Sequence, residues 1–230
     1  MAQSRKKKTD APAARKQRAI TGAIVAVVLF AAGYAVVSGG SSGSGGSGGS
    51  VPSVVGAGEY QDSEITGTPL PPQPDSGTDP AIGMKVPEIR AKNFEGGPVS
   101  LRIASINRPT MVVFLAHWCP HCNREIPRIL ELDAQGGIPA SMRVVGVATG
   151  SRSDQANWPP STWLRDIGWK WEAAADSQDG KIFAAYGGQS FPTMVLVGPD
   201  GTVKDRFSGE MEVEELGARI KSFMNSVAKA

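Results

Sequence analysis

From Ala19 to Val37 the chain runs for 19 residues without a charge (AITGAIVAVVLFAAGYAVV), and this stretch limits what the remainder can become. As a helix it would be about 28 Å long, close to the ~30 Å hydrocarbon thickness of a bilayer. No polar stripe interrupts it, so a soluble core would have to surround it with apolar partners on every side. The run reads as a single transmembrane anchor, which leaves the folded part of the chain to be built from the residues after Val37. Residues 1–18 form a basic tail with seven Lys and Arg side chains against one acid, Asp10. Such a tail stays in the cytoplasm and sends the C-terminal part across the membrane. A signal peptide cleaved near Gly33-Tyr34-Ala35 is the competing reading, although the apolar run continues past that point. Both readings put the rest of the chain on the extracytoplasmic side of the cell membrane.

The net charge of +2 conceals this asymmetry, because the tail alone carries +6 and the rest of the chain −4. A nucleic-acid partner would be met by basic charge on the folded domain, so none is expected. Ser38 to Ser50 holds only glycine and serine, and residues 51–80 add six prolines with few apolar residues. Residues 38–80 are therefore expected to be a flexible linker and semi-extended tether. As a coil they would span roughly 35–40 Å.

Residues 81–230 have the size and patterning of one domain. Val99–Ile103 is a short strand candidate, and Thr110–Ala116 and Met142–Ala148 are continuous apolar runs of the kind buried on both faces of a sheet. A helix is expected from Cys119, with Ile126, Ile129, Leu130 and Leu132 on one side. Ser161 is placed to cap a helix through Asp166, and Asp179 or Gly180 to open another through Tyr186. Gly198-Pro199-Asp200-Gly201 between Thr193–Val197 and Thr202–Phe207 signals a hairpin. Glu212–Val227 closes the chain as an amphipathic helix. This order points to an α/β domain, a central mixed sheet flanked by helices.

Only two cysteines occur, Cys119 and Cys122, separated by Pro120 and His121. A disulfide enclosing two residues gains little by restricting the unfolded chain, so a chemical role suits the pair better than a structural one. At the start of a helix, Cys119 would meet unsatisfied N–H groups and the positive end of the dipole, both of which favour thiolate. Cys122 lies one turn deeper, so Cys119 is the expected nucleophile and Cys122 the resolving thiol. Pro120 suits the first helical turn, where its missing N–H would have no partner. His121 could sit beside the Cys119 thiolate, stabilise the dithiol and make the disulfide more oxidising. Glu125 could relay a proton to and from Cys122. His117, at a strand exit, reads as a solvated residue, and Trp158, Trp163, Trp169 and Trp171 read as packing residues.

The stretch Phe114-Leu115-Ala116-His117-Trp118-Cys119-Pro120-His121-Cys122, followed by Glu125-Ile126-Pro127 and later by Phe191-Pro192-Thr193, resembles the thioredoxin superfamily, specifically its TlpA/ResA-like branch. The resemblance covers roughly residues 82–227. It implies a thioredoxin fold and a redox-active Cys119–Cys122 disulfide that needs no other cofactor. It also implies a cis-proline loop at Phe191-Pro192 that pairs with substrate, and tuning by Trp118, Pro120, His121 and Glu125. The expected partners are cysteine-containing client proteins and a membrane or extracytoplasmic redox protein. Pro120-His121 resembles the DsbA-type oxidases, and Val113 stands where thioredoxin has a buried aspartate. These two features tip the expected direction slightly towards an oxidase of secreted proteins. Glu125 supports the alternative, a reductase for a dedicated client such as apocytochrome c. An extracytoplasmic copper carrier using His117, Cys119, His121 and Cys122 is a reading of another class, but four ligands within six residues do not readily close a tetrahedral site. A peroxiredoxin would need a P-x-x-x-[ST]-x-x-C arrangement that the chain lacks.

Overall fold

The computed structural model describes residues 58–229. The segments expected to be a basic tail (1–18), an anchor (19–37) and a linker, the last as far as residue 57, lie outside the described residues. Among the described residues, no helix is long and apolar enough to cross a membrane. In chain order the strands are β1 (Glu64–Thr66), β2 (Glu88–Lys92), β3 (Pro98–Ser100), β4 (Thr110–Leu115), β5 (Arg143–Ala148), β6 (Glu172–Ala175), β7 (Thr193–Val197) and β8 (Val203–Ser208). The helices are α1 (Ile103–Ile106), α2 (Pro120–Ala134), α3 (Pro160–Asp166), α4 (Lys181–Ala185) and α5 (Val213–Val227).

The strands form one mixed sheet in the order β1-β2-β6-β5-β4-β7-β8, with β3 paired to β2. At its centre β4 runs parallel to β5 and antiparallel to β7, and all six of its residues are buried. The period of two along β4 sorts its side chains between two cores. Met111, Val113 and Leu115 meet α2, α3 and α5 on one face, and Val112 and Phe114 meet α4 and the N-terminal segments on the other. Gly146 of β5 has a packing reason: a Cβ there would lie 2.9 Å from the Trp169 ring. The thioredoxin fold expected from the sequence is present, with its sheet covered on both faces.

Several expectations change in detail. Residues 58–80, expected to belong to the tether, form a strap packed on the domain. β1 pairs with β2, Leu70 is buried, and the Leu70 and Gln73 N–H groups donate to Ala185 and Gly187 carbonyls at 2.9 and 2.8 Å. A proline-rich segment can be held this way because backbone hydrogen bonds need few apolar side chains. The guanidinium of Arg206 anchors the strap's far end through Asp79, at 2.6 and 2.7 Å. Ser161 does not cap α3 as expected. Its N–H and hydroxyl instead donate to the Glu59 carboxylate of the strap at 2.9 and 2.5 Å, with Pro159 at the cap position. The expected strand Val99–Ile103 is shorter, since Ile103 opens α1. Gly180 does open α4, and the buried Asp176 carboxylate accepts the Ile182 and Phe183 N–H groups behind it.

Candidate active site

β4 ends at Leu115, and the chain then turns through Trp118 to begin α2 at Pro120. Cys119 occupies the cap position of α2 with extended backbone, so its sulfur lies at the helix N-terminus. Both cysteines are free thiols. Only 5% of Cys119 is exposed and none of Cys122. The Cys119 thiol faces the Phe191 carbonyl at 3.7 Å, directly before the cis bond to Pro192. The fold thus brings the Phe191-Pro192 loop against Cys119 across 72 residues of sequence. Trp118 walls one side: its indole N–H donates to the Gly150 carbonyl at 2.8 Å and its ring meets Phe191 edge-on.

Cys122 sits in an apolar pocket with Val113, Ile126 and Met194 in the same cluster. Burial pushes its thiol far above the ordinary value, only partly offset by the Ala116 N–H that donates to its sulfur at 3.4 Å. The neighbouring Cys119 and Glu125 push in the same direction as burial. Glu125 is itself fully buried. One carboxylate oxygen accepts the Met211 N–H at 2.9 Å, and the other is buried without a hydrogen-bond partner. Burial raises the Glu125 carboxyl above the usual range, while Met211 and Arg128 oppose the shift. A carboxyl of raised affinity for protons, with a spare oxygen, next to a thiol that resists ionisation, can exchange a proton with that thiol.

The raised Glu125 carboxyl also links stability to pH. Folded Glu125 holds its proton to higher pH than unfolded Glu125, so folded stability falls as pH rises from about 4.3, the ordinary value, through the raised one. Glu125→Gln keeps the shape and removes the ionisation. It is expected to match the wild-type melting temperature below about pH 4 and exceed it at neutral pH, while slowing the resolving step of exchange. Melting curves across pH, with stopped-flow release of the second client thiol, check both. A variant that melts lower than wild type at neutral pH, or resolves at the wild-type rate, would contradict this role.

The two histidines depart from expectation. His117 is buried, not solvated. Its Nδ1–H donates to the Ala156 carbonyl at 2.6 Å and its Nε2 accepts the Arg152 N–H at 3.1 Å. One donor and one acceptor fix a neutral ring, and burial lowers its affinity for a further proton. The ring ties the 150–157 loop to the active-site turn. His121 is exposed and bonds to Glu210, with Nδ1 at 2.5 Å from Oε1. Both ring nitrogens of His117 are engaged with backbone, so His117 is not free to serve as the ligand that the copper reading asks of it.

Two further residues of the site are not apparent from the sequence. Asn123 donates to the carbonyls of His117 and Cys119 at 3.3 and 2.9 Å, and accepts the Trp163 indole N–H at 2.8 Å. Its place one residue after the second cysteine is the one available signal. Glu210 also takes bonds from Arg124 and Arg128, and Arg124 and His121 hold its carboxyl down at about 2. Nothing in the sequence marks it. Of the tryptophans, Trp163 and Trp169 are buried, and Trp158 lies between Tyr60 and His117.

Comparison with known proteins agrees with this geometry. The model of the AhpC/TSA family matches residues 82–206, more than half of the chain. The chain belongs to that family. Within it, the chain is similar to the thiol:disulfide interchange protein DsbE of Escherichia coli, 24% identical over 150 residues, 64% of this chain and 76% of the relative. It is likewise similar to the thiol-disulfide oxidoreductase ResA of Bacillus anthracis, 25% identical over 140 residues, 61% of this chain and 77% of the relative. A solution structure from Bacteroides thetaiotaomicron shares the fold, with a TM-score of 0.51 at 22% identity, over 65% of this chain and 91% of that one. With two thiols at a helix N-terminus facing a cis-proline loop, this family member is a thiol–disulfide oxidoreductase of the DsbE/ResA type.

Proposed function

We propose that the protein is a membrane-anchored, extracytoplasmic thiol–disulfide reductase acting on client proteins. The observation that carries the direction is the complete burial of Cys122 beside Glu125. A thiol that resists ionisation is a poor leaving group, so a client thiolate opens the Cys119–Cys122 disulfide slowly, and the dithiol is the better donor. The oxidase direction rests on Pro120-His121 and Val113, and the bond of His121 Nδ1 to Glu210 weighs against the first of these. In the forward cycle the Cys119 thiolate attacks one sulfur of a client disulfide, forming a mixed disulfide and releasing the other sulfur as thiolate. The Cys122 proton passes to Glu125. The Cys122 thiolate then attacks Cys119 Sγ, the Cys119–Cys122 disulfide forms, and the second client sulfur leaves. Two electrons reach the client, and a second extracytoplasmic or membrane redox protein must restore the dithiol.

Anchoring and sidedness rest on Ala19–Val37 and the basic tail before it. One preparation tests both parts. Full-length protein is expected in the membrane fraction, labelled at Cys119 by an impermeant maleimide from the outer side, with a potential near that of thioredoxin, about −270 mV. A potential near that of DsbA, about −120 mV, would favour the oxidase direction and overturn the reductase. Protein shielded from the reagent in intact cells would overturn the sidedness.

A further inference from the structure

Glu210 lies between the end of β8 and the start of α5, and four donors converge on its carboxylate. Oε1 faces His121 Nδ1 at 2.5 Å and Arg124 Nη2 at 2.6 Å. Oε2 faces Arg124 Nε at 2.9 Å and Arg128 Nη1 at 3.0 Å. Four donors saturate the usual acceptor capacity of a carboxylate. Arg128 is itself steadied by Glu212 at 3.1 Å and by Glu125 at 3.7 Å. The cluster therefore connects the first turns of α2 to a turn more than 80 residues away, next to the cysteine pair.

Its chemical consequence concerns the residue between the two cysteines. An imidazole next to the Cys119 thiolate would stabilise the reduced pair and raise the potential. An imidazole tethered to Glu210 through Nδ1 is not free to swing onto the thiolate. We propose that Glu210 is a positioning residue of the redox centre, holding His121 away from Cys119 and so keeping the Cys119–Cys122 couple reducing. The inference deepens the reductase reading and rests on it.

The test is the equilibrium of the full-length protein with glutathione in four forms: wild type, Glu210→Ala, His121→Gln and the double variant. In Glu210→Ala the freed imidazole is expected to shift the equilibrium at least tenfold towards the dithiol, about 30 mV upward. His121→Gln alone is expected to stay within twofold of wild type, because the ring it removes is already tied to Glu210. The double variant is expected to return to the wild-type value. An unchanged Glu210→Ala potential would overturn the proposal. So would an upward shift that survives in the double variant, since that is the signature of a lost charge acting directly on the thiolate. A large fall on His121→Gln alone would overturn it too, and that measurement decides the matter if Glu210→Ala fails to fold. The reductase reading fails separately, on a wild-type potential near that of DsbA, whereas this inference fails on the dependence between the two variants.

Discussion

Cys122→Ser is expected to turn the enzyme into a trap, with client proteins held covalently on Cys119, while Cys119→Ser lowers exchange to the uncatalysed background. The asymmetry comes from access. Cys119 is the sulfur with exposed surface, and it stands at the helix N-terminus facing the Phe191 carbonyl. Cys122 has no exposed surface, so it meets no client sulfur directly and acts only on Cys119 Sγ once the mixed disulfide has formed. Without Cys122 the mixed disulfide has no internal route to resolution and persists until an outside thiol cleaves it. Non-reducing gels of cell extracts made after acid quenching read both variants. Cys122→Ser should show high-mass species that collapse on reduction, and Cys119→Ser none. Exchange by Cys119→Ser at more than a few per cent of the wild-type rate would sink the assigned order of the two sulfurs.

Arg206→Ala is expected to cost about 3–5 kcal/mol, the usual loss when one partner of a buried ion pair is removed. The Arg206 side chain is 0% exposed. It makes two bonds to Asp79 and donates to the carbonyls of Pro71 and Tyr186 at 3.0 and 2.7 Å. Removing it leaves a largely buried Asp79 charge and two carbonyls without their donor, and frees the strap that covers Tyr186 and Ala185. Against a typical total of 5–15 kcal/mol this is a large share of the stability. Urea unfolding should show the midpoint falling, and limited proteolysis should cut between residues 58 and 80 before the rest. A loss below about 1 kcal/mol would show that the strap is held by its backbone bonds alone.

The parts of the fold legible in the sequence are those in which apolar pattern decides. β4, β5 and β7 are runs buried on both faces, and α5 shows its inward stripe of Val213, Leu216, Ile220 and Phe223. The β7–β8 turn carries its own chemistry in Gly198-Pro199-Asp200-Gly201. The elements that escape are decided by distant backbone. β2 buries only Ile89 and Ala91 between charged neighbours, and β6 is mostly alanine, a poor strand former. Both are strands because their neighbours supply backbone partners, β1 and β3 for β2 and β5 for β6. The strap reads as a tether because composition reports apolar content and not the main-chain bonds a segment can make.

The same division holds at the active site. Cys119 and Cys122 are legible because their spacing is their chemistry, and the Phe191-Pro192 loop only through the resemblance to the thioredoxin superfamily. Helical periodicity places Glu125 near Cys122, although it says nothing of its burial. His117 and His121 escape for opposite reasons. The first is enclosed by a loop some 35–39 residues further on, and the second is drawn off by a carboxylate 89 residues away.

The strap also sets the order in which the chain can finish folding. Glu59 meets Ser161, Tyr60 meets Ser151, and Asp79 and Pro71 meet Arg206, contacts that close loops of 91 to 135 residues. Each needs its C-terminal partner already made and in place, Ser151 in its loop, Ser161 in α3 and Arg206 in β8. The first part of the domain to leave the ribosome is therefore the last to dock. Until Arg206 has been synthesised and seated, the strap stays accessible to chaperones and proteases, and Tyr186 waits uncovered for it.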